Sequence, residues 1–298
     1  MKIMITGGSG FVGGHLIPFL QSNGHHVILV SRSASTDSGL DVTKVTWNQL
    51  REESAALEGI DAIVNLAGES INQRWTPAAK KRILESRLQA AGQISDFINR
   101  LKVKPKVVVN ASGMSIYGDS ETEAFDERSP HRVVDFLSGI VEKWEQAADQ
   151  IKGTRIVKIR IGVVLGNDGG AFPKMALPYK LGIGGRVGSG KQWISWVHIE
   201  DMVRLIAYCI EHETINGPVN ATAPSPVTND QFGRAIARSL RRPHWFPVPS
   251  FMMKLVFGEL STLLLDGQKV IPRALLEHGF TFKFPGVDQA LQDLAANR

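Results

Sequence analysis

Apolar residues in this chain fall into short unbroken runs, separated by stretches where they recur every third or fourth position. The first run, "KIMIT" (2–6), reads as a buried strand, and "FVGGHLIPFLQSNG" (11–24) as a helix closed by Gly24. "HHVILVSR" (25–32), the short "VTKVTW" (42–47) and "DAIVNLAG" (61–68) read as the second, third and fourth strands. From Thr76 to Leu101 the pattern is helical: Thr76 can cap, Pro77 suits the first turn, and Ile83, Leu84, Leu88, Ile94, Ile98 and Leu101 keep the spacing. "KVVVNAS" (106–112) is strand-like, a helix is predicted over 135–150, and "TRIVKIRIGVVLG" (154–166) reads as one more strand. Strands alternating with helices argue for a parallel sheet covered on both faces. Pro18 removes a hydrogen bond inside the first helix and predicts a bend there.

Beyond Gly166 the pattern changes. Residues 166–192 are rich in Gly and Pro and read as loops around a short helix. "WISWVHIEDMVRLIAYCIEH" (193–212) returns to a strand and a helix, with Asp201 expected to cap the helix's first turn. "GPVNAT" (217–222) is a last strand, and 228–240 is helical. The final fifty or so residues carry short apolar elements of their own. The expected division is a nucleotide-binding domain over 1–220 and a small C-terminal cap over 245–296, packed over the strand ends. There is no internal repeat and no low-complexity segment.

Composition narrows the classes. With 298 residues and 43% hydrophobic content, the chain can bury a sizeable core. The single cysteine, Cys209, excludes an intrachain disulfide or a cysteine metal cluster and reads as a core thiol. No metal site is expected. Met1 leads directly into "KIMITGG" without a signal-like apolar segment, and no apolar run reaches membrane-spanning length. A cytoplasmic, reduced setting without a membrane partner is the expectation. The net charge of +5 and pI near 9.3 fit either a mildly basic surface or an anionic ligand. No dense Lys/Arg run suggests nucleic acid; "LRRPH" at Leu240 is too short.

The glycines between the first strand and helix carry the chemistry. A glycine-rich turn there lets the backbone approach a pyrophosphate, and the helix N-terminus presents free N–H groups to it. Gly8, Gly10 and Gly13 fit G-x-G-x-x-G, while Gly7, Gly10 and Gly13 fit G-x-x-G-x-x-G. Five glycines in so short a stretch exceed what a simple turn requires. The second strand ends in Ser31-Arg32, with the next carboxylate at Asp37. A carboxylate at the strand tip would repel a 2′-phosphate, whereas Arg32 can pair with it. The cofactor expected is therefore NADP (NADPH) rather than NAD.

Together, "TGGSGFVG", "DAIVNLAG", "SIYG" and "RIGVVLG" resemble the extended short-chain dehydrogenase/reductase superfamily. "NLAGESI", "RWTPAAKKRILESR", "GIGGRVGSGKQWISWVHIEDM" and "DGQKVIPRALLEHGFTF" resemble one branch of it, the sugar-nucleotide epimerase-like family of atypical members. The resemblance spans nearly the whole chain. It implies an α/β fold, a Rossmann-type doubly wound parallel sheet with a small C-terminal cap lobe. It also implies cofactor contacts: Gly7, Gly10, Phe11, Val12 and Gly13 at the pyrophosphate, and Ser31 and Arg32 at the 2′-phosphate. Leu66, Ala67 and Gly68 would face the adenosine and ribose, and Arg87 and Val164 would also reach the cofactor.

The superfamily moves a proton with a tyrosine whose pKa is lowered by a lysine four residues later. Here Tyr117, Tyr179 and Tyr208 are followed at that spacing by Glu121, Ile183 and His212. Phe136 and Ile140 stand where the pair belongs, and Gly113 where the superfamily has its serine. Ser112 and Tyr117 are the remaining catalytic candidates, though Ser112 is one residue out of register and so faces the other side of a strand. His198 reads as a hydrogen-bonding partner of the following turn. Arg186, Lys191 and Trp193, in the glycine-rich segment, are the candidates for holding a small anionic or sugar-nucleotide-like substrate. Two readings stay open: an NADP-dependent oxidoreductase or epimerase, and an NADP(H)-binding regulator or scaffold without turnover. The sequence leaves the substrate unnamed, and the resemblance leaves a homodimer open.

Overall fold

The computed structural model of the chain describes residues 1–33 and 42–297. Its main sheet has seven strands: β1 (Lys2–Thr6), β2 (His26–Ser31), β3 (Thr43–Thr46), β4 (Ala62–Asn65), β5 (Val107–Gly113), β6 (Arg155–Ile161) and β7 (Gly217–Ala221). Their order is β7-β6-β5-β4-β1-β2-β3, and every neighbouring pair is parallel. The longer helices are α1 (Phe11–Ser22), α2 (Pro77–Arg100), α3 (Phe136–Ala148), α4 (Phe172–Lys180), α5 (Ile199–Glu211), α6 (Asn229–Leu240), α7 (Ser250–Phe257) and α8 (Val287–Ala296).

The unbroken apolar runs become strands because both faces of the sheet are covered. Ile3, Ile5, Val64 and Val109 pack on one side with residues of α1 and α5. Met4, Ile63 and Val108 pack on the other with Ile94, Phe97 and Ile98 of α2. Cys209 is fully buried in the first of these clusters, as expected of a core thiol. The chain starts in the middle of the sheet, at β1, and winds outward in both directions. The crevice between the ends of β1 and β4 is therefore the topological switch point, where such folds bind ligands.

Local chemistry sets the helix ends. The Thr76 hydroxyl accepts from the Ala79 N–H at 3.2 Å and Pro77 opens α2. Asp135 caps α3 in a reciprocal box with Ser138. α1 runs on through Pro18, which lies on its exposed side.

Two expectations change. The run 154–166 is not one strand. β6 ends at Ile161, and Val163–Leu165 turns away to pair with Trp196–His198 in a separate two-stranded sheet. Gly162 sits at the break, where a Cβ would come within 2.5 Å of the Ser195 carbonyl oxygen, so two backbones cross there. Second, Asp201 is not the cap of α5. His198 is, its Nδ1 accepting from the Glu200 N–H at 3.2 Å. The Asp201 carboxylate instead accepts from the N–H groups of Lys283 and Phe284, both at 2.8 Å, and anchors the C-terminal segment. The C-terminal segment is unevenly packed. α8 lies on α6 with Leu291 and Leu294 buried, whereas α7 buries none of its residues. Among the described residues no helix is long and apolar enough to cross a membrane, and no cluster of His, Cys, Asp or Glu is arranged to hold a metal ion.

Candidate functional site

The turn from β1 into α1 sits at the switch point. Gly7 has φ +72°, and a Cβ on it would lie 2.6 Å from the Leu66 carbonyl group. A Cβ on Gly13 would lie 2.5 Å from Gly8 Cα and 2.6 Å from the Gly7 oxygen. At Gly10 the nearest obstacle is the Gly7 oxygen at 3.2 Å. A Cβ on Gly8 would meet only side-chain tips, those of Leu29 and Ile17. The two backbone-locked positions, 7 and 13, belong together in the G-x-x-G-x-x-G register. Gly10 is the N-cap of α1 and carries no capping side chain. The first intrahelical bond is from Gly14 N to Gly10 O, so the N–H groups of Phe11, Val12 and Gly13 have no acceptor in the helix. Three N–H groups at a helix start and a bare glycine cap form a cradle that fits a diphosphate. The Phe11 side chain points elsewhere. Added Cβ atoms on Gly166, Gly169 and Gly170 would strike its ring within 2.9 Å, so the ring lies on a glycine shelf and only its backbone is left to face a ligand.

Across the crevice, a chain of buried amides supports the strand ends. The Thr6 hydroxyl donates to Asn65 Oδ1 at 2.6 Å, and Asn65 Nδ2 donates to Asn110 Oδ1 at 2.6 Å. Asn65 Oδ1 also accepts from the Ala67 N–H at 3.3 Å, shaping the Leu66-Ala67-Gly68 turn. Arg87 closes that turn from outside: its guanidinium donates to the carbonyls of Glu69 (3.0 Å) and Ile83 (2.8 Å). It lies 5.0 Å above the Trp144 ring and within 3.1 Å of where a Cβ on Gly68 would be. Burial pulls the Arg87 pKa down to about 10, with Glu69 acting in the opposite direction. Arg87 is thus a half-buried brace of the turn rather than a solvated helix charge. Val164 is nearly buried in the core beneath. Ser31 ends β2, its hydroxyl donating to the Ser33 carbonyl at 2.6 Å, and Arg32 beside it is exposed. Asp37 lies outside the described residues.

The hydroxyls of the two catalytic candidates are both engaged in buried hydrogen bonds. The Ser112 hydroxyl donates to Glu145 Oε1 at 2.7 Å. The Tyr117 hydroxyl donates to Asn220 Oδ1 at 2.7 Å and accepts from Arg160 at 2.8 Å. Tyr117 is fully buried, and burial pushes its hydroxyl up to about 12 despite the neighbouring Arg160. Arg160 and Glu145, joined at 2.8 and 2.9 Å, tie both candidates into one buried network. On Gly113 a Cβ would press on Val141 at 3.0 Å. Phe136 and Ile140 form an apolar face of α3 with Trp75 and Ile83.

The three substrate candidates separate. Arg186 and Lys191 are exposed on the glycine-rich loop, and the Arg186 carbonyl accepts from Val248 N at 2.8 Å. The Trp193 indole is committed: its N–H donates to the Glu121 carbonyl at 2.8 Å and Lys269 lies 4.7 Å over its ring. One group was overlooked in the sequence. Asp119, directly after "SIYG", is pushed up to about 6 by burial and by the carboxylates of Asp266 and Asp135. Gln268 donates to it at 3.3 Å. The carboxylates acting on it are far apart in the chain, so only its own position after "SIYG" hinted at it.

Fold and glycine turn define a doubly wound dinucleotide-binding protein of the Rossmann type. Residues 3–221 match the NAD dependent epimerase/dehydratase family, and residues 248–294 match DUF1731, a domain of unknown function. The chain belongs to the NAD dependent epimerase/dehydratase family. It is 43% identical over 303 residues to the epimerase family protein YfhF of Bacillus subtilis (strain 168), covering 100% of this chain and 99% of that one. It is 40% identical to the epimerase family protein SH2119 of Staphylococcus haemolyticus, covering 98% of each. Among solved structures, the human epimerase family protein SDR39U1 (isoform 2) with NADPH matches with a TM-score of 0.92 and 39% identity over 100% of both chains. The nucleoside-diphosphate sugar epimerase from Corynebacterium glutamicum matches with a TM-score of 0.81 and 29% identity, covering 99% of this chain and 58% of that one.

Proposed function

We propose that the protein is an NADP(H)-dependent oxidoreductase or epimerase-like enzyme acting on a small anionic substrate. The observation that carries the reading is the cradle at the start of α1, where Gly7 and Gly13 admit no side chain and three N–H groups stand free. The phosphates would lie on the N–H groups of Phe11, Val12 and Gly13. Arg32, exposed at the end of β2, would pair with the 2′-phosphate, and the Leu66–Gly68 turn braced by Arg87 would line the adenosine side. The relative crystallised with NADPH supports the same cofactor. When bound, the cofactor supplies or accepts a hydride. The chain's own part is to hold and orient it.

Calorimetric titration of nucleotide-free protein tests this. NADPH is expected to bind more tightly than NADH. Arg32→Ala should weaken NADPH roughly 10- to 150-fold, the worth of one charged hydrogen bond, and leave NADH unchanged. An Arg32→Ala protein with undiminished preference for NADPH overturns the assignment. A second reading is favoured by Phe136 and Ile140, neither of which can move a proton: an NADP(H)-binding regulator without turnover. NADPH binding combined with no NADPH oxidation over hours, across a panel of carbonyl compounds and nucleotide sugars, would select it.

A further inference from the structure

We infer that the substrate is an amphipathic anion, a carboxylate or phosphate joined to an extended apolar or aromatic body, taken up in a groove between the start of α2 and the C-terminal cap. This rests on the reading above for the reaction the molecule undergoes, but not for its binding. The groove has a volume of ≈ 610 Å³, the size of a small-ligand site. One wall carries Arg74, Trp75 and Lys80; the other carries Leu255, Val256 and Phe257.

The position points to the reaction centre. Trp75 meets the Phe136 ring edge-on, with centroids 5.2 Å apart, and Lys80 Nζ lies 4.9 Å over that ring. The resemblance assigns the place of the superfamily's proton-moving tyrosine to Phe136, which would put the groove one aromatic ring from the reaction centre. The Trp75 indole is held still, its N–H donating to the Ile71 carbonyl at 2.9 Å.

The lining sets the chemistry. Leu255 is 84% and Val256 70% exposed on a helix that buries nothing, so apolar surface faces the groove without a partner. Covering such surface is favourable by about 25 cal/mol per Å². Two cations, Arg74 and Lys80, face one carboxylate, Glu259, which leaves the groove positive. Glu259 reaches Lys80 at 2.5 Å, so a carboxylate from the cap already occupies one side of the ammonium an incoming anion would use. Arg74 is exposed and enters no ion pair among the described residues. A nucleotide sugar fits this wall poorly, because its hydroxyls would be desolvated against Leu255, Val256 and Phe257 without partners.

The test titrates the protein with 4-phenylbutyrate, 4-phenylbutanol and UDP-glucose by calorimetry, with and without saturating NADP. The butyrate is expected to bind one to one and at least about tenfold more tightly than the neutral alcohol, the worth of one charge-assisted contact. Arg74→Gln should weaken it about tenfold, and Leu255→Asn should weaken it as well. Glu259→Gln should tighten it, since a competing carboxylate is removed. A purely structural Lys80–Glu259 pair would give the opposite sign. UDP-glucose binding more tightly than 4-phenylbutyrate, or Glu259→Gln weakening the butyrate as Arg74→Gln does, overturns the inference. Failure of the groove with intact NADPH binding leaves the cofactor reading standing, whereas loss of NADPH binding in the wild type defeats that reading alone.

Discussion

Arg160 is 1% exposed, and its guanidinium is shared among Glu145, Tyr117 and His131. Burial alone would penalise both charges of the Arg160–Glu145 pair. The mutual hydrogen bonds more than offset this, so Arg160 is raised and Glu145 held below the ordinary carboxylate value. Ser112 and Tyr117, the two catalytic candidates of the sequence, are hydrogen-bonded into this network. Arg160→Met should therefore destabilise the protein by about 3 kcal/mol in urea unfolding, because the buried Glu145 keeps only the longer 3.6 Å contact with Lys158 as a counter-charge. The double variant Arg160→Met/Glu145→Leu should recover part of the loss. Equal losses in the single and double variants would show that the pair is not what holds this region. In acid the sign is fixed: the stability from Glu145 is present above its unfolded value and is lost as pH falls through its lower folded one.

Elements are decided by what crosses them as much as by their own periodicity. The run 154–166 is apolar throughout and has the look of one strand, yet it breaks at Gly162 because the Ser195 backbone passes there. Gly162→Ala should cost about 1–3 kcal/mol through overpacking. Gly14→Ala, whose Cβ would meet nothing within 4 Å on α1, should gain about 0.5–1 kcal/mol. Thermal unfolding of the two variants reads the contrast, and a harmless Gly162→Ala would refute the crossing. Where the signals are local, the elements were legible: the Thr76 cap and Pro77 placed the start of α2, and Asp135 that of α3. The cap of α5 was misread because His198 and Asp201 both sit near its first turn. Choosing between them required knowing that Lys283 and Phe284, some eighty residues on, claim the Asp201 carboxylate.

Across the whole molecule, His198 ties α5 to the C-terminal helix. Its ring lies tilted against Phe284 with centroids 4.0 Å apart, and its buried Nε2 lies 3.4 Å from Asp293. Burial lowers its pKa below the ordinary 6.5; Asp293, Asp201 and Glu200 oppose this, and Lys283 adds to it. The unfolded chain thus takes up the proton first as pH falls, so the stability His198 contributes is full above about 6.5 and declines below it. The melting temperature should fall between pH 7.5 and 5.5, and the fall should be smaller in His198→Asn, which keeps a capping side chain. An unchanged fall in the variant would sink this assignment. The parallel sheet, the glycine-rich turn after β1 and the place of Arg32 at the end of β2 were readable without coordinates, because each depends on periodicity or on residues adjacent in the chain, whereas the number and order of the strands were not. The sequence by itself also shows that none of its three tyrosines is followed by a lysine four residues on, since that is a matter of spacing alone. Only the tertiary structure decided that Ser112 and Tyr117 point into a buried ion pair, that Trp193 is locked against Glu121 and Lys269, and that a basic, apolar-walled groove opens between α2 and the cap. Those outcomes depend on contacts between residues far apart in sequence, and burial and electrostatics act through space without regard to the order of the chain.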